Sequence, residues 1–533
     1  MTDPAGRAVA GLALRGTWRA ALAIAVANVV VTVTAVLGYV AAYPNPVDRL
    51  ALARSIGANP GLTALFGETR ALETIAGFTE WRVVLVLALV GAVWGLLATT
   101  RVLRGEEDAG RTEVLLAGPL RPTSVVVASL AGVGAALLGL LALTTLGLAL
   151  GAGGDLGVAR AVLLALTVVG AAASMVGVSA VTSQVAGTRR GAAGLAAAVL
   201  GLAYLVRVVA DSGTGLRWLR WATPLGWLEL AHPLTEPAVA PVVLLYLLGL
   251  AGAVVAVALV GRRDTGAGLL AGSGGRPPRT AWLGSPLGLA ARLALGPAAG
   301  WAIGLGVVGA LIGLVARTAA DAMSGSSSGD VLGGLGIEES GTRAYVGVSY
   351  VLLSLALTLA AAGQVAAARD EEAAGRLDTL LVRPVSVVRW LVGRLAIAVA
   401  LLAVGAAATA VGTASTGVLS GLGVPLGDLA VAALNTLPAA LCILGLGTLL
   451  HGVVPRAAVP LTYAVVAGSF LLEVVGSTAR LPGWLLGLSV LHHVAPAPAV
   501  EPDWASAAVL VGLGAVFAVG GALALRSRDV EPG

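Results

Sequence analysis

The sequence predicts an all-α polytopic membrane protein with about 12 transmembrane helices, arranged as two homologous six-helix halves. Hydrophobic residues make up 58% of the 533 residues and charged residues only 11%. A water-soluble core of this size could not bury so much apolar surface, whereas helices in lipid need not bury it. One charged stretch also occurs twice, with Glu106 and Glu371 at equivalent positions 265 residues apart. A charged cluster that is repeated at half-length indicates an internal duplication.

Apolar runs of spanning length can be placed six to a half. In the first half they lie at about 18–42, 82–100, 125–151, 160–184, 191–210 and 240–261, and in the second at about 299–317, 344–366, 389–415, 428–452, 457–475 and 506–525. We therefore predict a first transmembrane half at 1–261, a cytoplasmic linker with an amphipathic segment at 262–298, and a second transmembrane half at 299–533. The linker includes a Gly-, Ser- and Pro-rich stretch at 272–278, which is typical of a connection.

The predicted orientation follows from the distribution of arginine. Of the 33 arginines, 22 lie in the segments on the same side as both termini. Cytoplasmic loops of membrane proteins carry the excess of basic residues. Both termini and both charged stretches are therefore expected in the cytoplasm. The pairs Arg189-Arg190 and Arg262-Arg263 are interpreted as membrane anchors, so no nucleic acid partner is expected.

Lysine is absent from the sequence, and this excludes a nucleotide site of the P-loop type. A P-loop needs the lysine of G-x-x-x-x-G-K-(S/T) to reach the nucleotide phosphates. If ATP drives the protein, another subunit must bind it, so no cofactor is expected on this chain. The single Cys442 and the surroundings of His492 and His493 offer no ligand set for a metal. No catalytic residue is predicted either.

The charged stretch is the main candidate for a functional element. Its copies run from Arg104 to Pro119 and from Arg369 to Pro384, and they share the pattern R-x-E-E-x-A-G-R-x-(E/D)-x-L-L-x-x-P. The candidate docking residues are Glu106, Glu107, Gly110, Arg111, Glu113, Leu115 and Leu116 in the first copy and Glu371, Glu372, Gly375, Arg376, Asp378, Leu380 and Leu381 in the second.

Each copy predicts a short helix between the second and third spans, with acidic residues at its start and a proline at its end. At i,i+4 spacing, Glu107 should pair with Arg111, and Glu372 with Arg376. We interpret the element as a docking helix for a cytoplasmic partner. The alternative is a solvated loop that only determines topology. Topology alone would not require the same Gly, Leu-Leu and Pro at the same spacing in both halves.

A second candidate is a pair of charges inside the predicted spans. Arg207 and Glu473 occupy equivalent positions in the fifth and eleventh spans, 266 residues apart. An ionisable residue in a span usually faces a partner or an aqueous cavity. If the halves pack about a pseudo-two-fold axis along the membrane normal, the two side chains could form an intramembrane ion pair near the outer end of a pathway. The alternative is that both reach the membrane interface separately.

The chain resembles actinobacterial ABC-2-type permeases of the polyketide antibiotic exporter family. The resemblance covers nearly the whole chain and includes both copies of E-E-x-x-G-R-x-(E/D)-x-L-L-x-x-P. Thr223-Pro224-Leu225-Gly226-Trp227 is similar to the family's S-P-L-G-W segment. Residues 488–494 are similar to its S-P-F-H-H-V segment, although Val490 stands where the family has proline.

This resemblance implies the membrane-spanning subunit of an ATP-driven exporter in a bacterial plasma membrane. In such exporters the loop after the second span carries a coupling helix that sits on a separate ATPase subunit. Two copies of that ATPase would be expected, with ATP and Mg²⁺ bound there. The cargo would be a hydrophobic or amphiphilic small molecule, such as an antibiotic.

Two other classes remain as alternatives. A proton-coupled antiporter of the major facilitator type also has twelve spans and charged loops, and Gly105, Asp108, Gly110 and Arg111 match its G-x-x-x-D-(R/K)-x-G-R-(R/K) motif loosely. Ala109 replaces the central basic residue of that motif. The third class is a membrane scaffold that transports nothing.

Overall fold

The computed structural model describes residues 4–57, 67–211, 214–269, 282, 284–324, 341–382, 385–479 and 482–528. Within these ranges the chain is helical and contains no strand, and 11 helices are long and apolar enough to cross a membrane. The predicted span at 457–475 falls on the helix Ala458–Ala479, whose apolar part, Ala458–Phe470, is shorter than the others. The predicted all-α polytopic class is confirmed.

Contacts divide the chain into two compact units, Met1–Pro277 and Pro278–Gly533, and each is described by itself. In the first unit the helices are α1 (Pro4–Ala42), α2 (Pro46–Gly57), α3 (Ile75–Thr100), α4 (Glu106–Asp108), α5 (Arg111–Leu116), α6 (Pro122–Gly151), α7 (Gly153–Leu156), α8 (Val158–Val185), α9 (Arg189–Asp211), α10 (Pro224–Ala231) and α11 (Val239–Val260). A π-helical turn, Arg101–Gly105, joins α3 to α4, and a 3₁₀ helix, Thr214–Ala222, precedes α10.

The second unit repeats this order with fewer short helices. Its helices are α12 (Pro286–Ser324), α13 (Thr342–Ala373), α14 (Arg376–Leu381), α15 (Val387–Ser420), α16 (Leu426–Asn435), α17 (Leu437–Val453), α18 (Ala458–Ala479), α19 (Gly483–Leu486) and α20 (Trp504–Ser527). The predicted span at 428–452 is divided into α16 and α17 at Thr436, just before Pro438, which a helix tolerates only in its first turn.

Small residues let the spans pack closely in both units. In the first, α8 packs on α11, and a methyl group added to Gly177 would overlap the carbonyl oxygen of Gly249. In the second, α17 packs on α20, and a methyl group on Gly445 would overlap the carbonyl oxygen of Gly514. Such contacts between small residues are how helices associate in lipid. The fourth and sixth spans of each half are therefore held together in the same way.

The segment between the predicted halves includes two described parts, a series of turns and bends at 262–269 and a helix that begins at Pro286. The predicted amphipathic stretch Ser285–Leu295 coincides with the start of α12, which begins at Pro286, continues without interruption through Ser324 and contains Pro297. The linker stretch at 272–278 and the predicted helix end at Pro384 lie outside the described residues.

Candidate functional site

Each charged stretch folds as two helical segments separated by a glycine. In the first unit, α3 continues through the π-helical turn into α4, Gly110 adopts the left-handed conformation with φ 71°, and α5 follows. In the second unit, α13 ends at Ala373, Gly375 has φ 65°, and α14 follows. Glycine adopts positive φ without steric cost. The repeated glycine therefore turns the chain out of the second span and into the docking helix, a name used below for α5 and α14.

Glu107 is the centre of a buried ionic cluster at the base of the first docking helix. The guanidinium of Arg263 binds it with both nitrogens, Nη1 to Oε1 at 2.6 Å and Nη2 to Oε2 at 2.8 Å. Arg104 Nη1 lies 3.2 Å from Oε2, and the backbone N–H of Gly266 donates to Oε1 at 2.6 Å. Because Arg263 follows α11, the cluster ties the end of the sixth span to the start of the docking turn.

Glu372 repeats this arrangement in the second unit. Arg528, just after α20, donates from Nη1 to Oε1 at 2.7 Å and from Nη2 to Oε2 at 3.0 Å. Arg369 lies 3.3 Å from the carboxylate, and His451 Nε2 lies 2.9 Å from it. The separation in sequence between the glutamate and the distal arginine is 156 residues in both units. We call this repeated cluster the ionic anchor.

The predicted i,i+4 pairs and the predicted position of the acidic residues are wrong. Arg111 pairs with Glu106, with its Nε 2.5 Å from Oε2, and Arg376 donates to the carbonyl oxygen of Asp370 at 3.3 Å. The left-handed glycine interrupts the helix, so residues on its two sides no longer share one helical face. The acidic residues end the preceding helix, where the helix dipole disfavours them. The arginines of the ionic anchor offset that effect.

The docking helices are held by their leucines and present other side chains outward. Leu115 and Leu116 pack against a buried cluster of α1 and α6, whereas Val114 is 74% exposed. In the second unit Leu377, Leu380 and Leu381 pack together with Trp390 and Leu525. The other exposed positions of the two helices are Arg111, Glu113, Arg376, Asp378 and Thr379, and Val382, just after α14, is exposed as well. Glu107, Glu371 and Glu372 are buried, so they support the helix and do not offer their side chains to a partner.

Arg207 and Glu473 each have a partner within their own unit. Arg207 is buried, with its Nε 3.6 Å from Asp211 and its guanidinium carbon 5.2 Å from the centre of the Tyr204 ring. Glu473 lies 3.6 Å from Nδ1 of His492. An ion pair between the two units stays a prediction.

Sequence reasoning missed a cluster of charges at the predicted outer end of the first unit. Arg220 lies at its centre, 2.7 Å from Asp211, 2.9 Å from Glu68 and 3.5 Å from Glu229. Burial raises the pKa of Asp211 to about 7, and the neighbouring carboxylate of Glu229 adds to this effect. The charged residues can be seen in the sequence, but only the fold brings together Arg220 and Glu68, which are 152 positions apart.

The interpretation of Arg263 as a simple membrane anchor is also wrong, because it completes the ionic anchor. A signal for this role was present in the sequence. Arg263 and Arg528 are 265 positions apart, the same offset that relates the two charged stretches, and so are Arg104 and Arg369. Charged residues that repeat with the duplication are candidates for one shared structure.

The fold and the duplicated anchor define an α-helical membrane protein of two similar units. A family model for the multidrug efflux system permease Rv1217c, C-terminal domain, matches residues 283–526. The multidrug efflux system permease protein Rv1217c of Mycobacterium tuberculosis (strain ATCC 25618 / H37Rv) is 30% identical over 509 residues, which cover 92% of this chain and 88% of the relative. The chain belongs to the family of this permease. It is a multi-pass protein of the plasma membrane, and the narrower resemblance to polyketide antibiotic exporters stays a prediction.

Proposed function

We propose that the chain is the membrane-spanning subunit of an ATP-driven drug exporter, with ATP hydrolysed by a separate subunit that docks on α5 and α14. Family membership supports export, because the relative is a multidrug efflux permease. The absence of lysine supports a separate ATPase, because this sequence has no P-loop. The cargo would be a hydrophobic or amphiphilic small molecule.

The observation that carries the proposal is the ionic anchor. Through Glu107 and Arg263, and through Glu372 and Arg528, the end of each second span, from which the docking helix leaves, is joined to the end of a sixth span. A partner that moves a docking helix would therefore also move that span. Removing one member of a buried pair leaves an uncompensated charge, which costs about 3–5 kcal/mol. The two-pronged contact also fixes the orientation of the two groups, so a displacement of one would be passed to the other.

Two docking helices, one in each unit, favour two ATPase copies. Their exposed apolar side chains, such as Val114 at 74% and Val382 at 89% exposed, are the contacts that a partner would cover. The buried carboxylates below would hold these side chains in place.

The test is purification of the tagged full-length chain from its native membrane in mild detergent, with counting of the proteins that accompany it. We expect a P-loop ATPase at two copies per chain, and we expect Val114→Glu and Val382→Glu each to reduce its recovery. Val47→Glu, at a similarly exposed valine on α2 at the predicted outer side, is the matched control. A chain that purifies alone and moves drug under a proton gradient would overturn the proposal in favour of the antiporter, which the comparisons do not favour.

A further inference from the structure

A cavity of about 380 Å³ lies at the predicted cytoplasmic end of the first unit. Its walls come from the starts of α1 and α6, the π-helical turn, α5 and the end of α11. Most of the lining is apolar, and Leu12, Val126, Leu115 and Leu116 contribute to it. Pockets that bind small molecules have volumes of about 300–1,000 Å³ and are mostly apolar with a few placed polar groups.

Gln184 is one of the lining residues and has an unused hydrogen-bond donor. Its side chain is 1% exposed, and its Oε1 accepts a hydrogen bond from Nε of Arg263 at 2.8 Å. Because Arg263 can only donate, the side-chain atom of Gln184 that it contacts must be the amide oxygen, and the other terminal atom is the amide nitrogen. That nitrogen has no hydrogen-bond partner among the described residues. A buried amide N–H without a partner is rare in folded proteins, so a ligand acceptor would complete it.

The charges around the cavity favour an anionic group. Glu107 is satisfied by Arg263, and Glu106 by Arg111. Arg101 lines the same cavity, is exposed, and makes neither a hydrogen bond nor a salt bridge within the described ranges, although its charge acts on Glu106. The lining therefore carries one more positive than negative charge.

In the second unit, larger side chains stand at two of the corresponding positions. Val125 of the first unit corresponds to Trp390 and Ser129 to Arg394, both 265 positions later. Trp390 donates to Glu371 at 3.1 Å, and Arg394 lies 3.3 Å from the same carboxylate. The cavity beside Arg394 measures only about 20 Å³. Among the described residues, the space beside Arg394 is therefore much smaller than the cavity of the first unit.

We propose that this cavity binds an amphiphile with an apolar body and an acidic head, a carboxylate or a phosphate. The head accepts a hydrogen bond from Nε2 of Gln184 and faces Arg101, and the apolar body lies against the leucines of α5. Because the docking helix α5 forms one wall of the cavity, a bound ligand packs against this helix. An anionic membrane lipid and an acidic drug share this chemistry. The inference goes beyond the proposed function and does not depend on an ATPase.

The test uses the purified full-length chain in a neutral detergent and a fluorescent fatty acid, 11-(dansylamino)undecanoic acid, as the probe. We expect one saturable site per chain. Gln184→Glu keeps the acceptor for Arg263, removes the donor and adds a repelling charge, so it should weaken binding about tenfold or more. Arg101→Gln should weaken it by about two- to fivefold, and Arg389→Gln, at an exposed arginine of the second unit, should leave it unchanged.

Val125→Trp should fill the cavity as Trp390 fills its counterpart and should abolish binding, with a monodisperse elution profile as the check on folding. Displacement of the probe by phosphatidylglycerol alone identifies a lipid site, and displacement by free fatty acid identifies a site for an acidic small molecule. Both outcomes support the proposal. Equal displacement by dodecanol would overturn the proposal, and so would wild-type affinity in Gln184→Glu. If Val125→Trp does not fold, the result with Gln184→Glu still decides between the outcomes.

Discussion

Glu107 and Arg263 are 156 residues apart and form a two-pronged salt bridge, which Glu372 and Arg528 repeat at the same separation in the second unit. A paired geometry of this kind fixes the orientation of both groups as well as their distance. In each unit it joins the end of the second span to the end of the sixth.

Removing the carboxylate of the anchor should destabilise the protein strongly. In Glu107→Ala the buried Arg263 loses its main partner, and we expect a loss of about 3–5 kcal/mol in the free energy of unfolding. Glu106→Ala is the matched control, because its pair with Arg111 is exposed and should contribute about 1 kcal/mol or less. Denaturant unfolding in detergent measures both, and equal losses would contradict the role of the anchor.

The ionic anchor of the second unit can be tested with a double-mutant cycle. Glu372→Ala and Arg528→Ala should be strongly non-additive, with a coupling energy of about 0.5–3 kcal/mol, because the two side chains are in direct contact. The same double-mutant cycle on Arg207 and Glu473 examines the ion pair that the repeat predicts. If the effects of the two single substitutions on the free energy of unfolding add within about 0.5 kcal/mol in that cycle, the predicted ion pair is ruled out.

The glycine of each docking turn should not tolerate a side chain. No atom lies within 4 Å of a methyl group placed on Gly110, so the cost of Gly110→Ala comes from positive φ alone and should be about 1–2 kcal/mol. We expect the variant to disturb the docking turn and to lower drug export. Gly134→Ala, inside α6 and equally open, should be neutral or stabilising, because alanine favours a helix. Equal behaviour of the two variants would show that the turn is not needed.

The outer charge cluster should make stability depend on pH. Asp211 has a pKa of about 7 in the folded protein, above its ordinary value of 3.8, so the folded state holds a proton that the unfolded state releases. This contribution is complete below pH 3.8 and is lost as pH rises through 7, with a slope of up to about 1.4 kcal/mol per pH unit.

Thermal unfolding in detergent should therefore show lower stability at pH 8 than at pH 5. Asp211→Asn should remove most of that difference. Asp503→Asn should preserve it, because hydrogen bonds from Ser506 hold the pKa of Asp503 below its usual range. A wild-type protein that is as stable at pH 8 as at pH 5 would show that Asp211 is ionised throughout.

The sequence by itself determined the class of the protein, the duplication and the site of the docking helices. Hydropathy is a local property, since lipid acts on each span separately. The paired motif marked the docking elements without any knowledge of packing. The absence of lysine excluded a P-loop on this chain with equal directness.

The tertiary structure decided which charges meet. Spacing along a helix pairs Glu107 with Arg111, but Gly110 turns the chain and the carboxylate faces Arg263 instead. It also decided that the space beneath the first docking helix is open while that beneath the second contains Trp390. Contacts between residues more than 150 positions apart depend on how the spans pack, and packing is not encoded in the periodicity of any single segment.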